Sequence, residues 1–214
     1  MRRARPVLST AGALVLLAGC SVMPAVTMGG FARAPEMLPV ADNSVRVAGP
    51  PGYCVDPSSS KEEDGRAFVL LASCASIANN RRATAPQIPA LLTASVSVDQ
   101  STIIDRFMEH LPDFLATNKG RAVMARDARA SSVEVLETTP ADGALIVRLR
   151  DSSPNATPGL NPEYWRAFFS LNGRIVTLSV FEFANRPLGE TQARRTLQAF
   201  VDRVRRESEN GVAL

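Results

Sequence analysis

The dipeptide Asn172-Gly173 stands between two runs of alternating side chains, and nothing else in the chain restricts its fold so tightly. Asn-Gly tolerates two successive left-handed residues, which a two-residue hairpin turn needs if it is to match the right-handed twist of its strands. The pair therefore predicts a hairpin of residues 164–171 with 174–183. Setting Leu171 opposite Arg174 places Trp165, Ala167, Phe169, Val176, Leu178 and Val180 on one face. The other face receives Tyr164, Arg166, Phe168, Ile175, Ser179, Phe181 and Phe183. A second hairpin is expected just before it, with Pro140-Ala141-Asp142-Gly143 as the turn between 133–137 and 145–150. With Thr138 facing Ala144, Val135 meets Val147 and Val133 meets Leu149, while Glu134 meets Arg148 on the reverse side.

Two helices bracket these hairpins. Ile103, Ile104, Phe107, Met108, Leu111, Phe114 and Leu115 recur at helical spacing behind Thr102 and Asp105, which fit a capping box. Pro112 should kink or restart this helix and Gly120 should end it, with a strand around Val123 to follow. A closing helix over 190–207 carries Ala193, Leu197, Phe200, Val201 and Val204 on one stripe. Its acid Glu190 and its bases Arg203, Arg205 and Arg206 suit the helix dipole. Upstream, 53–55, 67–75 and 91–98 read as short strands separated by polar loops. The order implies an α+β fold, a mainly antiparallel sheet with two helices packed on it. The run Phe168-Phe169-Ser170-Leu171-Asn172-Gly173-Arg174-Ile175-Val176 and the terminal amphipathic helix resemble the Mog1/PsbP-like sandwich over about 47–206. That resemblance implies binding or assembly roles and carries over no site residue.

The first nineteen residues are a separate object. Arg2, Arg3 and Arg5 precede an apolar run over 11–18 that is too short to span a bilayer, which is the pattern of a signal peptide. It ends in Leu17-Ala18-Gly19-Cys20, which resembles the lipobox of bacterial lipoproteins. The resemblance implies cleavage before Cys20 and lipid on its thiol, and two or more acyl chains anchor stably where one is marginal. An ordinary signal cut near Met23-Pro24-Ala25 is the alternative. In enteric Gram-negative lipoproteins an aspartate after the cysteine marks inner-membrane retention, so with Ser21 there the resemblance implies the outer membrane, with the domain facing the periplasm. Residues 20–44, with Pro24, Gly29, Gly30, Pro35 and Pro39, read as the lipidated start and a flexible tether, and 45–210 as a single domain.

Export bears on the remaining cysteines. Cys54 and Cys74 are expected to pair in an oxidising compartment. Two buried thiols or a metal half-site are the alternatives, though a metal site needs four ligands and His110 is the only histidine. The segment around the two cysteines also resembles small exported alphaproteobacterial proteins, a likeness that names no activity. Of the 24 basic residues three lie in the leader, leaving 21 bases against 21 acids, so no excess of charge points to nucleic acid.

No nucleotide, zinc-protease or nucleophile-elbow motif occurs, and no cofactor is implied. His110 sits beside ordinary helix-surface neighbours. Ser58 and Lys61 spell S-x-x-K, but in a Ser-rich loop running into Glu62, Glu63 and Asp64. The most informative feature is a sheet face carrying Glu134, Arg148, Arg150, Tyr164, Arg166, Phe168, Phe181 and Phe183, because arginine beside aromatic rings is favoured at interfaces. Arg148, Arg150, Tyr164, Arg166 and Phe168 are thus the candidate partner face, with a helix covering the rings as the competing arrangement. The expected function is that of an envelope lipoprotein acting as a noncatalytic binding or assembly module. It would be held to the membrane by its anchor and able to take an envelope protein partner. A small envelope hydrolase is the alternative.

Overall fold

Asn172 and Gly173 adopt φ values of 48° and 74°, and β9 (Leu160–Leu171) turns through them into β10 (Arg174–Phe183) with Leu171 opposite Arg174. The structure, a computed structural model, describes residues 33–154 and 157–212. Cys20, the leader and the first part of the expected tether lie outside the described residues. The hairpin of β7 (Val133–Ala141) and β8 (Ala144–Asp151) differs in register from the expectation. Val135 pairs with Leu149 and Glu134 with Arg150, and a bulge between Val135 and Glu137 brings Glu137 opposite Arg148. The cause is a tighter turn: Asp142 and Gly143 alone are left-handed, so Pro140 and Ala141 remain in the strand. β7 ends the sheet, and an edge position tolerates the missing N–H of Pro140.

The fold is α+β with a mainly antiparallel sheet. Upstream strands β3 (Tyr53–Val55), β4 (Lys61–Glu63), β5 (Arg66–Ser73) and β6 (Leu91–Val96) join the two hairpins in the order β3-β5-β6-β10-β9-β8-β7, and β4 also pairs with β5. Between β6 and β7 the chain crosses one face of the sheet as α2 (Ile104–Ala116) and α3 (Asn118–Met124). The closing helix α4 (Glu190–Val212) lies on the other face. Its expected stripe of Ala193, Leu197, Phe200, Val201 and Val204 is wholly buried against Val69, Leu92, Leu178, Phe169 and their neighbours.

Several expectations yield to local geometry. Residues 34–44 are not a tether: β1 (Met37–Val40) pairs with β2 (Val45–Ala48), and Val40, Ala41, Val45 and Val47 are buried. Four-residue strands are too short to show a period, and three left-handed residues, Ala41, Asp42 and Asn43, form the turn between them. The Ser208 hydroxyl of α4 accepts the Arg46 N–H at 2.9 Å, joining this hairpin to the helix. Thr102 caps nothing, since α2 begins after Ile103 with no side-chain cap, and Pro112 lies inside the helix without ending it. Thr117 separates α2 from α3: its hydroxyl donates to the Phe114 carbonyl at 2.7 Å and accepts the Gly120 N–H at 3.0 Å. Gly120 is therefore helical, and it is glycine because a Cβ would fall 2.0 Å from the Phe114 carbonyl oxygen. No strand forms at Val123, which belongs to α3.

The strand expected through residue 75 ends at Ser73, and Cys74 opens the short helix α1 (Cys74–Ile77). Cys54 and Cys74 are joined by a disulfide, with Cα atoms 4.7 Å apart and Ala34, Ile77 and Ala78 packed around it.

Candidate functional site

The pairing of β8 with β9 divides the expected partner face in two. Arg148 lies opposite Trp165 and Arg150 opposite Glu163, whereas Leu149 meets Tyr164, Val147 meets Arg166 and Leu145 meets Phe168. Alternation along each strand then puts Arg148 and Arg150 on the α4 side and Tyr164, Arg166 and Phe168 on the α2–α3 side. Alternation within each hairpin sets its two faces, but no turn fixes the match between the hairpins, so the expected face mixes residues of both sides.

On the α4 side the arginines are taken up by neighbouring acids. Arg148 donates to Glu163 at 2.8 Å and to Glu190 at 3.2 Å, and it lies over the Trp165 ring at 5.9 Å. Arg150 donates to Glu163 at 2.6 Å and to Glu134 at 2.7 Å. Hydrogen bonds from Arg150 and then Arg148 hold the Glu163 carboxyl below its ordinary range, and Glu163, then Glu134, raise Arg150. Buried Glu182 accepts the Leu188 N–H at 2.9 Å, and burial pushes its carboxyl up. This is a cross-linked sheet edge in which each arginine already has its anion.

The other side is different. Tyr164 is buried with its ring 4.6 Å from that of Phe181, and burial raises its hydroxyl pKa while the charge of Arg166 opposes that rise. Leu111, Leu115 and Met124 of α2 and α3 pack over Leu149, Tyr164 and Phe168. Across β5, β6 and β10 the helices leave a cleft of about 500 Å³. Phe68, Leu70 and Leu91 line its sheet wall, and Phe107 and Phe114 its helix wall. Val123, 72% exposed, also borders it. The hydroxyls of Thr93, Thr177 and Ser179 face in from the sheet, and Arg166 stands among them. Its Nε donates to Ser179 Oγ at 3.0 Å, and its guanidinium carbon lies 5.0 Å from the Tyr164 ring centre. Arg126, also lining the cleft, sits 5.5 Å from the Phe181 ring centre with Asp151 at 3.8 Å.

Cavities of this size, mostly apolar with a few convergent polar groups, are typical of small-molecule sites. Sequence reasoning reached Arg166, Phe168 and Phe181 but missed the opposite wall. A signal was present: Phe68 and Leu70 alternate with the core residues Val69 and Leu71, so β5 is apolar on both faces and both must be sheltered.

The remaining sequence candidates are dispersed. His110 is exposed on α2, in a shallow groove with Ile103, Arg106, Phe107 and Phe114. The Ser58 hydroxyl donates to Asp56 at 2.6 Å, while Lys61 is on β4 opposite Phe68. Glu62 accepts the Ala41 N–H at 2.6 Å, fastening the β1–β2 turn. Among the described residues no three His, Cys, Asp or Glu side chains group to hold a metal. No protein-family model matches the chain, and no curated protein or solved structure matches it either.

Proposed function

We propose that this chain is a lipid-anchored protein of the bacterial cell envelope, facing the periplasm, whose folded domain is a noncatalytic binding module. The cleft between the sheet and α2–α3 is its binding site. The anchor rests on the leader and on Leu17-Ala18-Gly19-Cys20, and Ser21 favours the outer membrane. One observation carries the binding role: an apolar cleft of about 500 Å³ whose sheet wall carries hydroxyls and the Arg166 guanidinium, where a face meant only for packing would be filled with aliphatic side chains. Arg148 and Arg150, satisfied by Glu134, Glu163 and Glu190, add rigidity to the sheet rather than a second binding surface.

A photoreactive amino acid at Thr177, inside the cleft, tests this in living cells against the same residue at exposed Glu209 on α4. Irradiation should give a discrete adduct at position 177 and none at 209. Equal labelling at both positions, or no adduct at 177, would remove the cleft from consideration.

A further inference from the structure

Arg166 occupies an interior strand, with β8 on one side and β10 on the other, under the edge of a helical cover. Arg148, Arg150 and Arg174, the other arginines of β8, β9 and β10, each have a carboxylate partner, at 2.8, 2.6 and 3.6 Å respectively. Among the described residues Arg166 has none. Its only hydrogen bond there is from Nε to Ser179, which leaves both terminal nitrogens free. A charge drawn partly out of water is costly unless an anion meets it, and two parallel terminal N–H groups match the two oxygens of a carboxylate. The rest of the cleft offers phenyl and aliphatic surface from Phe68, Leu70, Leu91, Phe107 and Phe114, with hydroxyls along the sheet from Thr93, Thr177 and Ser179. Of the two guanidinium groups that line the cleft, Arg126 has Asp151 at 3.8 Å, so Arg166 is the cation left to meet an acid group, and the hydrocarbon around it is complementary to a long apolar chain.

Resting on the reading of the cleft as a binding site, we propose that its ligand is a single-chain carboxylate amphiphile of the fatty-acid class, its acid group paired with Arg166. The chain lies between the β5–β6 wall and α2. Ser179 holds the guanidinium by its Nε and so aims the free nitrogens at the acid. Tyr164 supports the guanidinium from the ring side.

The test uses the full chain with Cys20→Ala, so that the only acyl chains present are those added. Equilibrium dialysis compares palmitate with the uncharged sixteen-carbon alcohol, both below their aggregation concentrations. One palmitate should bind per chain, with the alcohol roughly ten- to hundredfold weaker, as expected for loss of a charge-assisted pair. Arg166→Gln should weaken palmitate by a similar factor without changing the alcohol, and Arg166→Lys should restore part of the loss. If Arg166→Gln lowers the melting temperature, the comparison of palmitate with alcohol on the parent chain and on Arg166→Lys still decides the matter. Equal binding of acid and alcohol would overturn the assignment to Arg166. Binding of neither, alongside a photoadduct at Thr177, would overturn the ligand class and leave the cleft as a site for something else. Binding of neither and no adduct would remove both.

Discussion

The two faces of the sheet are built from the same strands and end in different states. Toward α4, Val69, Leu71, Leu92, Ala94, Val176, Leu178 and Val180 are all buried, and one long helix closes over them. Toward α2–α3, the residues interleaved with these are Phe68, Leu70, Thr93, Ser95, Thr177 and Ser179, and the helices cover β7–β9 while leaving β5, β6 and β10 bordering a cleft. A face built only for packing is filled with aliphatic groups, and one built only for water carries charges. Hydroxyls, phenyl rings and a guanidinium with no carboxylate partner among the described residues suit neither purpose. A candidate site need not show as a motif; it can show as one face of a sheet whose composition suits neither packing nor water.

The α4 face should be the main source of stability. Phe200→Ala, which empties a fully buried position on α4, should cost about 3–5 kcal/mol in urea unfolding. Phe68→Ala on the cleft wall should cost far less, about 1 kcal/mol, since its ring is already partly in solvent. Equal losses would mean that the cleft face is packed as tightly as the other.

Among the described residues no long helix covers the β3 edge of the cleft side, and the disulfide cluster takes that place. Val55 and Tyr53 face the α4 core, so Cys54 between them faces the other way, against Cys74 and Ala34. Replacing both cysteines by serine should cost about 2–4 kcal/mol, the usual range for a bridge spanning a loop of this length, here 20 residues. Mass shifts on alkylation before and after reduction check that the thiols were bonded in the parent protein.

A smaller effect comes from the ion pairs that close the arginines of the α4 side. Glu163 has its folded-state pKa depressed, so its contribution is present above the ordinary carboxylate range and is lost as pH falls through the folded value. Glu163→Gln should therefore cost up to about 1 kcal/mol near neutrality, and the gap to the parent should close in acid. A gap that widened in acid would contradict the pairing.

Much of this was legible beforehand, where short-range chemistry decides. The Asn172-Gly173 turn, its register and the buried stripe of α4 all follow from local signals, and each appears in the structure. The α+β order does as well. What failed were features that no periodicity or turn residue announces. Gly120 read as a helix stop, yet its role is to let the backbone approach the Phe114 carbonyl. Residues 37–40 carried no period because the strand is four residues long and leans on α4 through β2. The candidate face was assembled from Arg148, Arg150, Tyr164, Arg166 and Phe168, and the β8–β9 register, which no turn residue announces, parted the first two from the last three. The cleft itself was hidden because its far wall comes from β5 and β6, more than seventy residues upstream of Arg166.

Thr177 and Leu178 are neighbours on β10 that point to opposite faces, and an unfolding measurement on Thr177→Trp and Leu178→Trp compares those faces at one place in the chain. Thr177 lines the cleft, so a tryptophan there has room, and stability should change by less than about 1 kcal/mol while palmitate binding is lost. Leu178 is fully buried beneath α4, so overpacking it should cost about 3 kcal/mol. Equal destabilisation by the two substitutions would contradict the account, because it would mean that the α2–α3 face has no cleft to fill.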